Sequence, residues 1–293
     1  MSKKKKFSEL ILSYLIELNN FRKEKFFPVS YENVKIGWIN FHNKKKLEEY
    51  FKLSFKEKIN FKKLNSLDKD FVKKIFHKEY FFQNTKIEHC SVFKNPALNP
   101  KNKFSQLERF SATEIFNVPR NILPLFGFPA YGVHCNGWNY KNKSFHMILS
   151  KRSENVENFP GLYDNLIGGG QPKNLSLYEN LLKESNEEAG LNEKDIQRSR
   201  FIALKSYFPI HKKNFEPSTI AIYDIEISDL KKLKNQDGEI SKFRSFEISE
   251  IMTLLEKKLI KPNSVIPIAD FLIRKNKKIF CKNTLKEINK YLR

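Results

Sequence analysis

The feature that most constrains this chain is a helix with legible ends that opens just behind a run of glycines. The segment reads Gly168-Gly169-Gly170-Gln171-Pro172, then Ser176, then Leu177 to Ala189, then Gly190. Ser176 and Glu179 form a capping box, in which each side chain takes a backbone N–H of the first turn. Gly190 stands where a left-handed closing residue is wanted. A helix over 177–189 follows. At ~100° per residue, Leu177, Tyr178, Leu181, Leu182, Ser185 and Ala189 share one arc, which should pack on a sheet.

The flanking sequence supplies that sheet. Residues 130–138 and 145–151 read as strands, with a polar turn at 141–143. Runs at 201–208 and 218–227 read as two more strands, and 248–258 and 265–275 as helices. Strands on both sides of one central helix, with further helices behind, predict an α/β sandwich over 119–293. The first 118 residues have a different texture and read as a small α+β domain. Its expected elements are an amphipathic helix at 7–20, a strand at 34–39, and helices at 46–53 and 68–80. This domain shows no catalytic constellation of its own and is a possible cap over a substrate pocket.

The same central helix carries the chemistry. Glu184, Glu187 and Glu188 lie three and four apart, within one turn of each other on an arc beside the apolar one. Clustered carboxylates repel, and these sit at the helix end whose dipole disfavours anions. A hard divalent cation such as Mg²⁺ or Mn²⁺ relieves both problems, because such ions prefer carboxylate oxygens. A bare Glu-x-x-Glu-Glu is more often a solvated acidic face. The glycines just before it shift the balance, since glycine lets backbone approach a phosphate or metal closely.

Bulk composition adds boundaries. The 293 residues include 54 Lys+Arg against 33 Asp+Glu, a formal charge of +21, with 27 Phe and 40% hydrophobic residues. The core is therefore ample. The basic residues are spread along the whole chain, and Lys, Asn, Ile and Phe are over-used together, which an AT-biased genome produces without selection for a polyanion. Nucleic acid is thus not the expected partner; a positive field that speeds an anionic substrate is. Cys90, Cys135 and Cys281 are far apart and odd in number, against a disulfide framework or zinc cluster. Residues 7–18 are too interrupted by polar side chains for a signal peptide, and no run of ~18 apolar residues suggests a membrane span. A cytoplasmic protein is expected, with no indication of oligomeric state.

The segment Gly169 to Leu191 resembles a Nudix box, Gly-x5-Glu-x7-Arg-Glu-U-x-Glu-Glu-x-Gly-U. Gly169, Glu184, Glu187, Glu188, Gly190 and Leu191 match. Leu175, Lys183 and Ser185 stand where the pattern has Glu, Arg and an apolar residue. The longer stretch Asp164-Asn-Leu-Ile-Gly-Gly-Gly-Gln-Pro172, with the helix after it, is similar to the thiamine-pyrophosphokinase-related Nudix hydrolases, in which Leu175 and Lys183 are ordinary. Pro124–Gly127, Ala130–Gly137, Asp237-Gly238-Glu239, Asp270–Arg274 and Gly37-Trp38 agree with that group.

The resemblance implies a Nudix α/β/α sandwich with a mixed sheet, and metal-dependent hydrolysis of a small organic diphosphate. The implied substrates are thiamine diphosphate analogues such as oxo- or oxythiamine diphosphate; nucleoside diphosphate derivatives are the alternative, and a non-catalytic RNA-binding module a further one. Glu187 and Glu188 become primary metal ligands, and Glu184 a ligand or water-orienting base. The resemblance implies that a main-chain carbonyl at Gly168 or Gly169 completes the sphere. Gly168, Gly170 and Gln171 would line the substrate. Glu239 is a candidate late base, or a plain turn residue. Lys183 and Arg152 are candidate phosphate contacts, though with so many Lys and Arg a solvated position is the plainer expectation. Tyr207, Trp138 and Phe208 are candidate ring partners, each as readily core. His134 is expected in the core. His211 lies in a Lys-rich loop and is a weaker candidate for substrate contact.

Overall fold

Residues 130–141 form one long strand because Val133 and Cys135 alternate with His134 and Asn136, so the strand offers an apolar face to one layer and a polar-bonded face to the other. It organises everything around it. The computed structural model describes residues 2–52, 54–60, 88–93, 114–141 and 143–292. The helix expected at 68–80 lies outside the described residues.

In chain order, α1 (Lys3–Glu17) precedes β1 (Phe26–Tyr31), β2 (Val34–Asn40), α2 (Phe41–Phe51) and β3 (Ile59–Asn60). Next come β4 (His89–Phe93), β5 (Glu114–Pro119), a single turn α3 (Leu123–Phe126), β6 (Ala130–Lys141) and β7 (Ser144–Arg152). They are followed by β8 (Tyr163–Asp164), β9 (Ile167–Gly170), α4 (Leu177–Ala189) and a short turn α5 (Glu193–Ile196). After these come β10 (Arg200–Tyr207), β11 (Ile210–His211), β12 (Asn214–Phe215), β13 (Ser218–Glu226) and β14 (Ile240–Phe246). The helices α6 (Ile248–Glu256), α7 (Val265–Asn276) and α8 (Lys282–Tyr291) close the order.

The main sheet runs β10-β13-β6-β7-β14, with β8 paired to β7 and β9 to β6. It is mixed: β13 is parallel to β6, and the other pairs are antiparallel. On β13, Ala221, Tyr223 and Ile225 face one layer and Ile220 and Ile222 the other. The first layer is α4, through Leu181, Ser185 and Ala189; the second is α1, α6, α7 and α8. The predicted α/β/α sandwich with a mixed sheet is what forms.

Two boundaries differ from expectation. Among the described residues, the first helix shares no core with residues 26–128. It packs on α6, α7 and α8, where Phe7 meets Phe280, the Tyr14 hydroxyl donates to Leu255 O at 2.9 Å, and Cys281 N donates to Ser8 Oγ at 2.8 Å. Conversely, Leu123, Leu125, Phe126 and Phe128 belong to the core of β1, β2 and α2. A cut at 118/119 therefore divides both packed units. Helix α2 also starts earlier than expected, because Asn40 accepts the Asn43 N–H at 2.8 Å and caps it there.

Candidate functional site

The glycines of β9 are set by what presses on them. Against β6, Gly132, Val133 and His134 pair with Gly170, Gly169 and Gly168. A Cβ on Gly132 would come within 2.8 Å of Gly169 O. Alternation along the strand turns Gly169 to Glu184, whose Cδ would lie 2.1 Å from a Cβ there. Gly168 faces Asp164 and His134, and Gly170 faces the Arg120 guanidinium. At Gly169 and Gly170 the missing side chain leaves room for Glu184 and Arg120 to lie against the strand, while Gly168 has ordinary clearance.

Helix α4 is held against this strand at both ends. Its capping box forms as predicted, with Ser176 N donating to Glu179 at 2.7 Å and Glu179 N to Ser176 at 3.2 Å. Gly190 at φ 65° closes it, and Lys234 N and Gln236 N donate to Ala189 O and Glu187 O at 3.0 and 2.9 Å. Those donors satisfy carbonyls that a helix end otherwise leaves orphaned. Tyr178, in the first turn of α4, is exposed although expected on the packed arc.

The three glutamates are not equivalent. Glu188 is 3% exposed and accepts the Gly168 N–H at 2.8 Å, inside the buried arc rather than beside it. Burial, with Asp164 and Glu184 nearby, pushes its carboxyl well above the usual range. Glu184 is largely buried, and that burial raises its carboxyl also, against the pull of Lys183 and Arg120. Lys183 lies between Glu184 and Glu187, at 3.2 and 2.7 Å. Among the described residues no three His, Cys, Asp or Glu side chains are gathered into a ready-made metal cage. The donor set nonetheless suits a hard cation: all are carboxylate oxygens, one is buried against a main-chain N–H, and two already share an ammonium.

Beneath β9 lies a buried polar chain that sequence reading missed. Asp164 binds Lys261 Nζ at 2.7 Å and the Ser264 hydroxyl, with Arg152 Nη1 at 3.7 Å. Burial pushes the Asp164 carboxyl up, but the Lys261 charge, then His134, and hydrogen bonds from Lys261 and Ser264 hold it at about 2. His134 contacts Asn165 Oδ1 at 2.8 Å, and burial lowers its pKa, favouring the neutral ring. Asn165 donates to Asn136, and Asn136 to Asp224, which Arg274 grips at 2.7 and 3.1 Å. Asn180 of α4 donates to Gly170 O at 3.1 Å. Its signal was present: a polar side chain next to Leu181 on a packed face.

The other candidates separate. Gln171 donates to Leu175 O at 2.6 Å and braces the loop from inside. Arg152 is not solvated: it is 7% exposed, its Nε on Asn158 O and its Nη2 3.6 Å from Glu239. Glu239 is half exposed and tied to that arginine rather than to the acidic helix. Tyr207 is 7% exposed, in the core layer with α7, its hydroxyl accepting from Asn263 at 3.1 Å. That is the core position expected as the alternative to a substrate contact. Trp138 packs edge-on to Phe145, and Phe208 stacks toward Phe215. His134 is buried as expected, and His211 pairs with Glu216 at 3.3 Å.

Gly169→Ala separates the site from the fold. The new methyl must displace the Glu184 carboxylate, the far end of a flexible side chain, while backbone dihedrals stay ordinary. Activity should fall by roughly 10²-fold, the scale of a 1 Å misplacement. Thermal denaturation should shift little. An equal loss in both measurements would mean that the contact is structural.

No known family model matches the chain. It is similar to Nudix hydrolase 20, chloroplastic, of Arabidopsis thaliana, at 33% identity over 166 residues, 56% of this chain and 44% of that protein. Similarity to Nudix hydrolase 24, chloroplastic, of the same plant is 32% over 166 residues, 56% and 46% of the two chains. An uncharacterised protein of Saccharomyces cerevisiae matches at 34% over 172 residues, 54% and 50%. The chain thus spans about half the length of the curated relatives it matches. Among solved structures, DR0079 from Deinococcus radiodurans aligns at 15% identity and a TM-score of 0.42, over 57% of this chain and 94% of that one.

Proposed function

We propose that this chain, a sequence relative of Nudix hydrolases, hydrolyses small organic diphosphates, with thiamine diphosphate analogues such as oxythiamine diphosphate as its substrates. Water adds to one phosphorus, the bridging P–O bond breaks, and monophosphate and inorganic phosphate leave. The observation that carries the reading is the clasp of α4 on the glycine strand, with Glu184 over Gly169 and Glu188 on the Gly168 N–H.

Glu187 and Glu188 would hold a Mg²⁺ or Mn²⁺ ion, with Glu184 as a further ligand or as the base that orients water. When bound, such an ion neutralises phosphoryl oxygens and acidifies water. The chain's own residues do the positioning. Glu188 is fixed by a main-chain donor, so its carboxylate does not search for its place. Lys183, which pairs with Glu184 and Glu187, would be a phosphate contact of the substrate. The thiamine assignment is supported by the resemblance of the Asp164–Pro172 segment and the helix after it to the thiamine-pyrophosphokinase-related group.

The test is phosphate release from oxythiamine diphosphate, thiamine diphosphate, ADP-ribose and dinucleoside polyphosphates. Release should require Mg²⁺ or Mn²⁺, stop with chelator, and be fastest with the thiamine analogues. Equal rates on all would remove the substrate class and keep the hydrolase.

A further inference from the structure

We propose that Arg120, reaching the glycine strand from the ribbon that precedes the sandwich, binds a phosphoryl group of the substrate at the Gly170 end of β9. The inference rests on the reading of the chain as a diphosphate hydrolase.

The geometry is built by two chain segments that meet there. Strands β4 and β5 pair through His89 and Pro119, and Arg120 N donates to Glu88 O at 2.9 Å. The same ribbon end accepts Lys173 N on His89 O at 2.8 Å, just past the glycines. The ribbon is thereby pinned to the loop that leads into α4. A Cβ on Gly170 would lie 2.3 to 2.4 Å from Nη2, Cζ and Nη1 of Arg120, so the guanidinium lies flat where only glycine permits it. Its neighbour Gly169 turns to the opposite face of the strand, toward Glu184, and the Arg120 charge still acts on that carboxyl.

Charge gives the arrangement a purpose. A diphosphate nearing Glu184, Glu187 and Glu188 meets like charge, and a guanidinium on the adjacent glycine opposes it. Arginine presents five N–H donors in a planar fork that matches phosphate. Its described acidic partner is Glu88 Oε2 at 2.5 Å, and the side chain is 44% exposed. Among the described residues, Glu88 and the Cys90 thiol together do not use all five donors.

A purely structural role, bracing Glu88 and the Cys90 thiol, makes a different forecast. Three variants of the full chain separate the two: Arg120→Ala, Arg120→Lys and Glu88→Gln. Each is assayed for hydrolysis of oxythiamine diphosphate and, by calorimetry with Mg²⁺ present, for binding of methylenediphosphonate, which is not hydrolysed. Arg120→Ala should raise KM and weaken methylenediphosphonate roughly 10- to 100-fold, the range of a charge-assisted contact. It should change kcat much less, and Arg120→Lys should recover part of the loss. Glu88→Gln, which frees the guanidinium, should tighten methylenediphosphonate by roughly 2-fold, the scale of an exposed ion pair.

If Glu88→Gln weakens binding as Arg120→Ala does, the ion pair is structural and the proposal fails. It fails also if Arg120→Ala binds methylenediphosphonate as the unaltered chain does. If the unaltered chain hydrolyses no diphosphate, the underlying reading fails, and the calorimetry still decides Arg120. Should Arg120→Ala not fold, the Lys and Glu88 variants carry the same contrast.

Discussion

Glu187→Gln should lower kcat/KM for diphosphate hydrolysis by roughly 10²–10³-fold, the scale of removing one preorganised electrostatic contact at a reacting phosphoryl group. The substitution keeps shape and hydrogen-bonding capacity and removes one charge. Its structural cost is small because Glu187 is 42% exposed and its described partner is Lys183, four residues earlier. An exposed pair of that kind contributes about 0.3–0.5 kcal/mol. The thermal midpoint should therefore barely move while turnover collapses. Kinetics and a melting curve on one preparation measure both. A variant that retains full activity would remove Glu187 from the site, and one that unfolds would show that it holds α4 in place.

Asp164→Asn should act in the opposite sense, through stability first. Asp164 is 2% exposed and is the shared partner of Lys261, Ser264 and Arg152. Neutralising it leaves the Lys261 ammonium, itself largely buried, without its counter-charge. Breaking a buried pair this way costs about 3–5 kcal/mol, a drop on the order of 10 °C in Tm for a chain of this size. The pH dependence has a definite sign. The folded carboxyl sits at about 2, below its ordinary 3.8, so its stabilisation is complete above about pH 4 and is lost as pH falls toward 2. The gap in stability between the unaltered chain and Asp164→Asn should thus narrow over that acid interval. A gap that stays constant would mean that the carboxylate charge does not matter.

Much of the site was legible because its signals are local. Ser176 with Glu179 and Gly190 mark the ends of α4 through backbone hydrogen bonds that need nothing distant, and both ends form where expected. Alternation on β6 and β13 likewise fixes which side chains meet α4. The sequence did not reveal which charged residues would be buried, since that depends on partners far along the chain. Arg152 looked like one more surface cation until folding brought Asp164 and Asn158 to it. Tyr207 looked able to stack on a ring, but alternation on β10 turns it to the layer of α7. Strand β14 was missed because a register shift between Ile240 and Lys242 breaks its period of two. Helix α8 was missed although Leu285 and Ile288 carry helical spacing, because its remaining residues are strongly polar. The reach of α1 across the molecule to α8 is a tertiary fact with no local signal.

Mn²⁺ binding followed by electron paramagnetic resonance tests the central claim most directly, because it needs no knowledge of substrate. The unaltered chain should bind Mn²⁺ at a site from which Mg²⁺ displaces it, and Glu187→Gln and Glu188→Gln should each weaken that binding severalfold or more. A chain that binds no Mn²⁺, or one whose binding both substitutions leave untouched, would contradict the assignment of the acidic helix as a metal centre.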